Sequence, residues 1–446
     1  AAILVLLTPS LAGAETAFPH SDAATTGAGS RANSGSAEIN SAADFTALPE
    51  SGKTSAKSTC PEVRKNLKRL RKIGQDRALC FKWQTPEELA KTEGASPSAA
   101  KSVVWCGNNT ENRVYVTRTS ICSRRGVVII TINTGTGTSL GAAYGVIEQE
   151  IDTQNTSTEF SEYLSFELTT ADITSSVMTV SVDAVCSLDS SCRQDEEPWG
   201  TPRSIIVGGS LDGTWTRSWT GNTKNQGFLM SYQLNIRIGD SYGNTRWGGE
   251  EEPGDGQYFV RCDNEVGTYA GCVVPDFTPT FVVDGQKYNE ARQFIGMAQA
   301  SMDSHPGWEG HGQPLHRESN ETVARDNREV ICDSTFEPDA DTPAPAQCDE
   351  YPFARSKESG RQLGVTSGAS CQQYQVVETT LEGQQYLDLI WDGIRQGQMP
   401  PADAKCARAS MPKNQNEGVG GDLGRKTVEW RLLNGDAYWV DAGQPV

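Results

Sequence analysis

Two adjacent carboxylates, Asp349 and Glu350, are the residues whose types and spacing most directly suggest chemistry. They follow Cys348 and precede Tyr351-Pro352, and a residue before proline is held in extended geometry. Neighbouring carboxylates repel each other, so one of them keeps its proton or both share a cation. Side chains of an extended segment point to alternate sides, so one carboxylate could ligate a metal while the other handles a proton. An ordinary acidic turn is the alternative interpretation.

Two further residues, Asn416 and Glu358, could complete a metal site. Asn416 lies in the glycine-rich segment 411–421, ahead of a pattern that predicts a helix over 421–433. An amide oxygen is a hard ligand suited to Mg²⁺, Mn²⁺ or Ca²⁺, and a helix N-terminus favours phosphate. A polar loop that caps the helix is the alternative for Asn416. Glu358 could join the metal shell or orient a water, and a solvated surface glutamate is equally compatible with the sequence.

Basic residues supply candidates for proton transfer and phosphate binding. His316 could act as a general base because the ordinary pKa of histidine lies near neutrality, although a lone histidine is more often structural. Arg317 could clamp a phosphate, and Arg425 and Lys426 on the predicted last helix could contact phosphate oxygens. The sequence contains no Walker A loop and no His-Glu-x-x-His zinc motif.

Cysteine usage and the first residues predict an exported protein. The chain has 12 Cys, spread along its length without a Cys-x-x-Cys pair, which is typical of structural disulfides. Pairing of sequence neighbours is one arrangement among many. Residues 1–14 are apolar and end in Ala-Gly-Ala, as a signal peptide does, and no later run is long enough to span a bilayer. We therefore expect a secreted protein with no transmembrane segment.

The charge balance argues against a protein that binds nucleic acid over its whole surface. The formal net charge is −18, whereas phosphate binding normally needs a basic footprint. A metal-centred nuclease needs only local positive charge. The negative net charge therefore argues against a nuclease without excluding one. One basic stretch, 64–73, has apolar residues at helical spacing. It is either a patch that binds nucleic acid or another anionic surface or, the interpretation we favour, the solvated face of a small helix.

Composition shifts divide the chain into four segments. Residues 1–14 are a signal-peptide remnant, and 15–59 are rich in Ala, Ser, Thr and Gly and are expected to be a disordered linker. Segment 60–283 contains β-branched runs at 103–105, 114–116, 127–132, 177–182 and 229–236, which predict an all-β, sandwich-like domain. Core packing or edge covering is the favoured role there, over a ligand groove, for Trp215, Trp219, Trp247 and Tyr258. Segment 284–446 predicts an α+β domain, with a helix over 321–331 and a closing strand over 437–440.

The last third of the chain, about 310–446, resembles the NucA/NucB deoxyribonuclease domain of secreted bacterial proteins. The matching motifs occur in the family's order and are Pro314-Leu315-His316-Arg317, Cys348-Asp349-Glu350-Tyr351-Pro352-Phe353-Ala354 with Glu358, Met411-Pro412, Gln415-Asn416, Gly420-Gly421-Asp422-Leu423-Gly424-Arg425 and Gly435-Asp436-Ala437-Tyr438-Trp439-Val440. The resemblance implies a fold similar to that of ββα-metal endonucleases, which cut DNA with low sequence specificity.

The resemblance also implies roles. A single divalent cation (Mg or Mn, with Ca as an option) would sit near the scissile phosphate, Asp349 would activate water, and Glu350 and Asn416 would hold or orient the metal. Glu358 would support them, and which of the two adjacent carboxylates is the base stays open. Glu358-Ser359-Gly360 stands where many members have Glu-Gly-Gly. The insertion 363–405, with Cys371 and Cys406 as its staple, could form a lid or a specificity loop.

Two other functions remain compatible with the sequence. The chain could be a non-enzymatic secreted surface or adhesion protein. The β-rich domain would then carry the function, and the nuclease domain would be degenerate. It could also be a nuclease toxin used against competitors, with an immunity or inhibitor protein as its partner.

Overall fold

The computed structural model describes residues 45–47, 58–94, 104–107, 114–187, 192–194, 199, 201–221, 223–249, 258–381, 384–393 and 398–443. All of them belong to one compact unit. The signal-peptide remnant expected at 1–14 lies outside the described residues, and so does most of the linker expected at 15–59. Within that linker, Thr46 and Ala47 pair with a strand.

The described residues form mostly strands. In chain order the strands are β1 (Thr46–Ala47), β2 (Arg77–Trp83), β3 (Val114–Val116), β4 (Ser120–Asn133), β5 (Ser139–Asp152), β6 (Glu159–Ala171), β7 (Val177–Ser187), β8 (Cys192–Gln194), β9 (Arg203–Ile206), β10 (Ser210–Trp219), β11 (Asn225–Ile238), β12 (Ser241–Gly248), β13 (Phe259–Asp263), β14 (Gly271–Val273), β15 (Thr280–Val282), β16 (Leu315–His316), β17 (Ala346–Tyr351), β18 (Gln372–Leu381), β19 (Gln384–Trp391), β20 (Ala407–Pro412) and β21 (Ala437–Asp441). The α-helices are α1 (Cys60–Lys72), α2 (Pro86–Gly94), α3 (Asn289–Ser301), α4 (Glu321–Ile331) and α5 (Lys413–Glu429).

Two antiparallel sheets build the first part of the fold. One has the order β1-β3-β4-β5-β6-β10-β8 with β2 paired to β4, and the other has the order β14-β13-β11-β7-β9 with β12 paired to β11. Because alternate side chains of a strand face one side, both sheets contribute inward residues such as Ile129, Phe166 and Leu234 to a single hydrophobic core. This part of the chain is therefore mostly β, as predicted.

The sequence prediction of individual elements in this part was mostly right. The strands expected at 114–116, 127–132, 177–182 and 229–236 are confirmed as parts of β3, β4, β7 and β11. The strand expected at 103–105 is wrong over its described residues, because 104–107 form a turn, while residue 103 lies outside the described residues. The aromatic residues predicted to pack in the core do so, with exposed fractions of 4% or less; they are Trp215, Trp219, Trp247 and Tyr258.

The second part of the fold has two smaller sheets and three helices. The sheets have the orders β15-β21-β16 and β17-β20-β18-β19, and α3 and α5 pack on the second of them. Its separate core includes Phe294, Tyr374, Ala409, Met411 and Tyr438. The predicted helix at 321–331 and strand at 437–440 are confirmed as α4 and β21. The insertion 363–405 supplies β18 and β19, which extend the sheet that carries the acidic pair.

Buried ion pairs attach the segment after α5 to the first part of the fold. The Arg431 side chain is only 2% exposed and donates to Asp263 through Nε at 2.8 Å. Arg261 donates to both carboxylate oxygens of Asp436, and Arg118 donates to the Trp430 carbonyl. Loss of one partner would leave a buried charge unpaired, which is strongly destabilising. These contacts therefore fix the C-terminal end of α5.

All twelve cysteines are paired, and each pairs with its neighbour in the sequence. The disulfides are Cys60–Cys80, Cys106–Cys122, Cys186–Cys192, Cys262–Cys272, Cys332–Cys348 and Cys371–Cys406. The predicted staple of the insertion is therefore confirmed. Among the described residues, no helix is both long and apolar enough to cross a membrane.

Candidate functional site

A cleft of about 380 Å³ lies where β17, α4 and α5 meet. Four of the residues selected from the sequence contribute to its walls, namely Arg317, Asp349, Glu350 and Asn416. The remaining wall residues are Arg328, Phe353, Ala354, Arg355, Val419, Gly420, Leu423, Gly424, Thr427, Val428 and Tyr438. Charged and apolar side chains thus face the same space, as in most ligand clefts.

The elements around the cleft bring distant segments together. β17 pairs antiparallel with β20, and α5 begins directly after β20. Asn416 therefore lies on the first turn of α5, not in a loop ahead of it. The helix expected at 421–433 is wrong in its bounds, because α5 runs from Lys413 to Glu429. Buried Gln415, Val419 and Leu423 lie four residues apart, and their packing outweighs the cost of the helical glycines.

Asn416 is oriented by hydrogen bonds from its amide nitrogen. Nδ2 donates to the Cys348 carbonyl at 3.1 Å and to Oε1 of Gln347 at 3.3 Å. Both acceptors belong to β17, so the side chain is held against the strand that carries the acidic pair. The bonds use the nitrogen, which leaves the amide oxygen Oδ1 as the acceptor that can serve a ligand.

Glu350 is buried, and only one of its two oxygens is paired within the described residues. Its side chain is 5% exposed, and Oε1 accepts from Nε and Nη2 of Arg328 at 3.0 and 2.8 Å. Oε2 is buried without a hydrogen-bond partner among the described residues. The Cys332–Cys348 disulfide ties the residue after α4 to β17, which places Arg328 beside Glu350. An orphaned carboxylate oxygen is costly unless a ligand or water satisfies it.

Asp349 lies in a strongly desolvated environment. It is 8% exposed, and its Oδ1 accepts from the backbone N–H of Glu350 at 3.0 Å. Burial, with the neighbouring Glu350 charge as the second cause, raises the pKa of Asp349 to about 8. Although strand alternation was expected to place the two carboxylates on opposite sides, both contribute to the walls of one cleft.

Three arginines contribute to the cleft. Arg317 donates to the Leu432 carbonyl, and burial, followed by the nearby Arg355 charge, lowers the pKa of Arg317. Arg355 pairs with Glu321, and about half of its side chain is exposed. Arg328 pairs with Glu350 while 60% of its side chain is exposed. Guanidinium groups bind phosphate oxygens through paired N–H donors, so this wall can receive a phosphodiester.

His316 and Glu358 form a pair beside the cleft rather than part of its wall. Nδ1 of His316 lies 2.8 Å from Oε1 of Glu358, and Oε2 accepts from the His316 backbone N–H at 2.7 Å. A carboxylate that holds one ring nitrogen fixes the orientation of the imidazole, as in catalytic dyads. Both oxygens of Glu358 are therefore engaged with His316, and neither residue is among those that line the cleft.

Arg425 and Lys426 lie on α5 but outside the cleft wall. Arg425 pairs with Asp422, and 71% of its side chain is exposed. Lys426 pairs with Glu429 at 2.8 Å, with its ammonium 5.5 Å from the Trp430 ring centroid. The structure therefore does not bring these two residues together with the acidic pair.

No protein-family model matches the chain, and no curated protein matches it. Among the described residues, no group of three or more His, Cys, Asp or Glu side chains is arranged to hold a metal ion. The oxygen donors that converge on the cleft belong to two carboxylates and one amide, those of Asp349, Glu350 and Asn416.

Sequence reasoning missed Arg328 and Arg355. Arg355 directly follows the 348–354 motif, so its position beside the acidic pair was a usable signal. Arg328 lies on a helix whose bounds were predicted correctly, but nothing in its own spacing shows that it faces β17. The position of Arg328 depends on the Cys332–Cys348 pairing, which the sequence left open.

Proposed function

We propose that this chain is a secreted, metal-dependent endonuclease that hydrolyses DNA phosphodiester bonds with low sequence specificity. The observation that supports it most is the convergence of Asp349, Glu350 and Asn416 on one arginine-lined cleft. The resemblance of 310–446 to NucA/NucB nucleases agrees with a strand pair, β17 and β20, followed directly by a helix. The disulfides support the secreted location, since such bonds persist in oxidising compartments.

The donors in the cleft fit a hard divalent cation. Oε2 of Glu350 is buried without a partner among the described residues, and Oδ1 of Asn416 keeps its acceptor capacity. Oxygen donors of this kind suit Mg²⁺, Mn²⁺ or Ca²⁺, and Mg²⁺ usually keeps several waters besides one or two protein ligands. A cation bound there would stabilise negative charge on the phosphate and favour the ionised form of a nearby carboxyl group.

The side chains around the cleft then have separate roles. Asp349 accepts the proton of the attacking water, because a carboxylate with a raised pKa is a stronger base than an ordinary one. Arg317, Arg328 and Arg355 bind phosphate oxygens and hold the phosphodiester in the cleft. Contacts to phosphate carry no base information, so the sequence preference is expected to be weak.

Incubation of the purified chain with plasmid DNA tests the proposal. We expect Mg²⁺ or Mn²⁺ to support conversion of supercoiled plasmid to fragments, and EDTA to stop it. Intact plasmid with every metal would instead favour the non-enzymatic adhesion protein. Digestion of RNA in the same assay would show whether the substrate is restricted to DNA.

The glycines of α5 provide a prediction about the width of the cleft. Gly420 and Gly424 line the cleft, Gly421 does not, and a Cβ added at any of the three meets no atom within 4 Å. Alanine should therefore stabilise the helix at each position, by about 1 kcal/mol in an exposed helix interior. At 420 and 424 the added methyl group also projects into substrate space, so we expect kcat/KM on DNA to fall about ten-fold.

The matched control for this prediction is Gly421→Ala, which should keep the rate of the unmodified chain. Steady-state cleavage of a fluorogenic oligonucleotide measures all three variants. Equal rates for Gly420→Ala, Gly421→Ala and Gly424→Ala would show that the substrate does not approach this face of α5.

A further inference from the structure

The first helix concentrates positive charge on an acidic chain. The formal net charge of the chain is −18, yet α1 contains six Lys and Arg and one acidic residue, Glu62. The basic residues are Arg64, Lys65, Lys68, Arg69, Arg71 and Lys72. None of the residues of α1 lines the cleft.

The basic residues of α1 share one face. At about 3.6 residues per turn, all six fall within roughly 160° of the helix circumference and extend over about 12 Å of its axis. Val63, Leu67 and Leu70 lie on the opposite side and are half-buried, and α1 packs on β2. The apolar side of the helix thus packs against the protein, while the basic side faces solvent.

The helix is attached firmly to the sheet beneath it. The Cys60–Cys80 disulfide joins its first residue to β2, and the Thr59 N–H donates to the Phe81 carbonyl at 2.9 Å. Nη1 of Arg64 donates to the Gly137 carbonyl at 2.8 Å. The charged face is therefore presented in a fixed orientation, which lowers the entropic cost of binding a partner.

Four of the basic side chains are not used within the described part of the chain. Arg64 donates to a carbonyl and Lys65 pairs with Glu62. Among the described residues, the side chains of Lys68, Arg69, Arg71 and Lys72 have no ion pair and no hydrogen bond, and all four are exposed. Like charges side by side repel each other unless a partner offsets them, so the face is complementary to a linear polyanion.

We propose that the exposed face of α1 is a docking surface for the phosphate backbone of duplex DNA. The choice of DNA rests on the proposed function. A helix that binds a membrane surface inserts its apolar face among the lipids, but Val63, Leu67 and Leu70 of α1 are half-buried where the helix packs on β2. The exposed side of α1 is basic, and such a patch offsets the repulsion between DNA and the rest of this acidic chain.

The test is a salt titration of binding. Fluorescence anisotropy of a labelled 20-base-pair duplex, with EDTA present to prevent cleavage, compares the full chain with a variant carrying Lys68→Gln, Arg69→Gln, Arg71→Gln and Lys72→Gln. We expect affinity at 0.1 M salt to fall at least ten-fold. The slope of log affinity against log salt should become shallower by roughly 0.9 for each phosphate that the variant no longer neutralises.

A second variant controls for net charge. Arg193, Arg203, Lys224 and Arg237 are exposed and lie apart from one another in the sequence, so changing all four to Gln removes the same charge from other positions. If this control weakens binding as much as the α1 variant, the docking surface is overturned. Absence of duplex binding by the unmodified chain, or α1-dependent binding to phosphatidylglycerol vesicles in place of DNA, would overturn it as well.

A small substrate separates this inference from the proposed function. Hydrolysis of bis(p-nitrophenyl) phosphate with Mn²⁺ does not need a long polyanion, so the α1 variant should hydrolyse it at the rate of the unmodified chain. If neither this diester nor DNA is hydrolysed while α1-dependent duplex binding persists, the proposed function fails and the docking surface stands.

Discussion

Replacement of Asp349 by Asn should lower kcat/KM for DNA cleavage about 10³-fold, within the range that a general base contributes. Asn has almost the shape of Asp, so the change removes the proton acceptor and leaves the volume of the cleft wall unchanged. The buried environment of Asp349 penalises its charge, so Asn at this position should fold at least as well. Loss of activity in a fully folded variant would assign the proton-transfer role to this carboxyl group.

His316→Gln is the matched comparison. His316 is oriented by Glu358 and does not line the cleft, so we expect its replacement to cost less than ten-fold in kcat/KM. The opposite ranking, with Asp349→Asn active and His316→Gln inactive, would make the His316–Glu358 pair the base. Single-turnover cleavage of a defined oligonucleotide, with circular dichroism as a check on folding, distinguishes the two.

The same Asp349→Asn change should make the protein more stable, and the gain should grow with pH. The pKa of Asp349 is about 8 in the folded chain, against an ordinary value near 4 when unfolded. Between these pH values the folded chain binds one proton more than the unfolded chain, so this site's contribution to the free energy of unfolding falls as pH rises. The fall is about 1.4 kcal/mol per pH unit, or about 4 kcal/mol from pH 5 to pH 8.

Urea unfolding at pH 5, 6.5 and 8 in EDTA measures this gain. The difference in unfolding free energy between Asp349→Asn and the unmodified chain should widen steadily across the three pH values. Glu337→Gln removes an exposed carboxylate on the loop after α4 and controls for general effects of charge. A constant difference for Asp349→Asn would show that its carboxyl group ionises as easily in the folded chain as in the unfolded one.

Local patterns in the sequence predicted much of the fold. Strands such as β4 and β11 are indicated by β-branched runs, and α4 is indicated by apolar residues at helical spacing. The start of α5 was missed because glycines at 418, 420 and 421 suggested a loop. The signal that would have corrected this was the four-residue spacing of Gln415, Val419 and Leu423, the buried stripe of the helix.

Only the site residues that lie in recognisable sequence motifs could be predicted. Asp349, Glu350 and Asn416 were selected from adjacent motif residues, and the fold places them around one cleft. The pairing of His316 with Glu358 and the position of Arg328 depend on how β16, β17 and α4 pack, which no local pattern specifies. Arg425 and Lys426 were chosen for their charge on an expected helix whose bounds were wrong, and the direction of their side chains depends on where that helix begins.

Isothermal titration with Mn²⁺ tests most directly whether the cleft holds a cation. We expect one bound ion per chain and a decrease in affinity of at least about 100-fold in Glu350→Gln, since even residues that only support metal ligands cost 10- to 100-fold when changed. Glu358→Gln should keep the binding, because both Glu358 oxygens are engaged with His316. Absence of binding by the unmodified chain, or unchanged affinity in Glu350→Gln, would contradict a metal-dependent cleft.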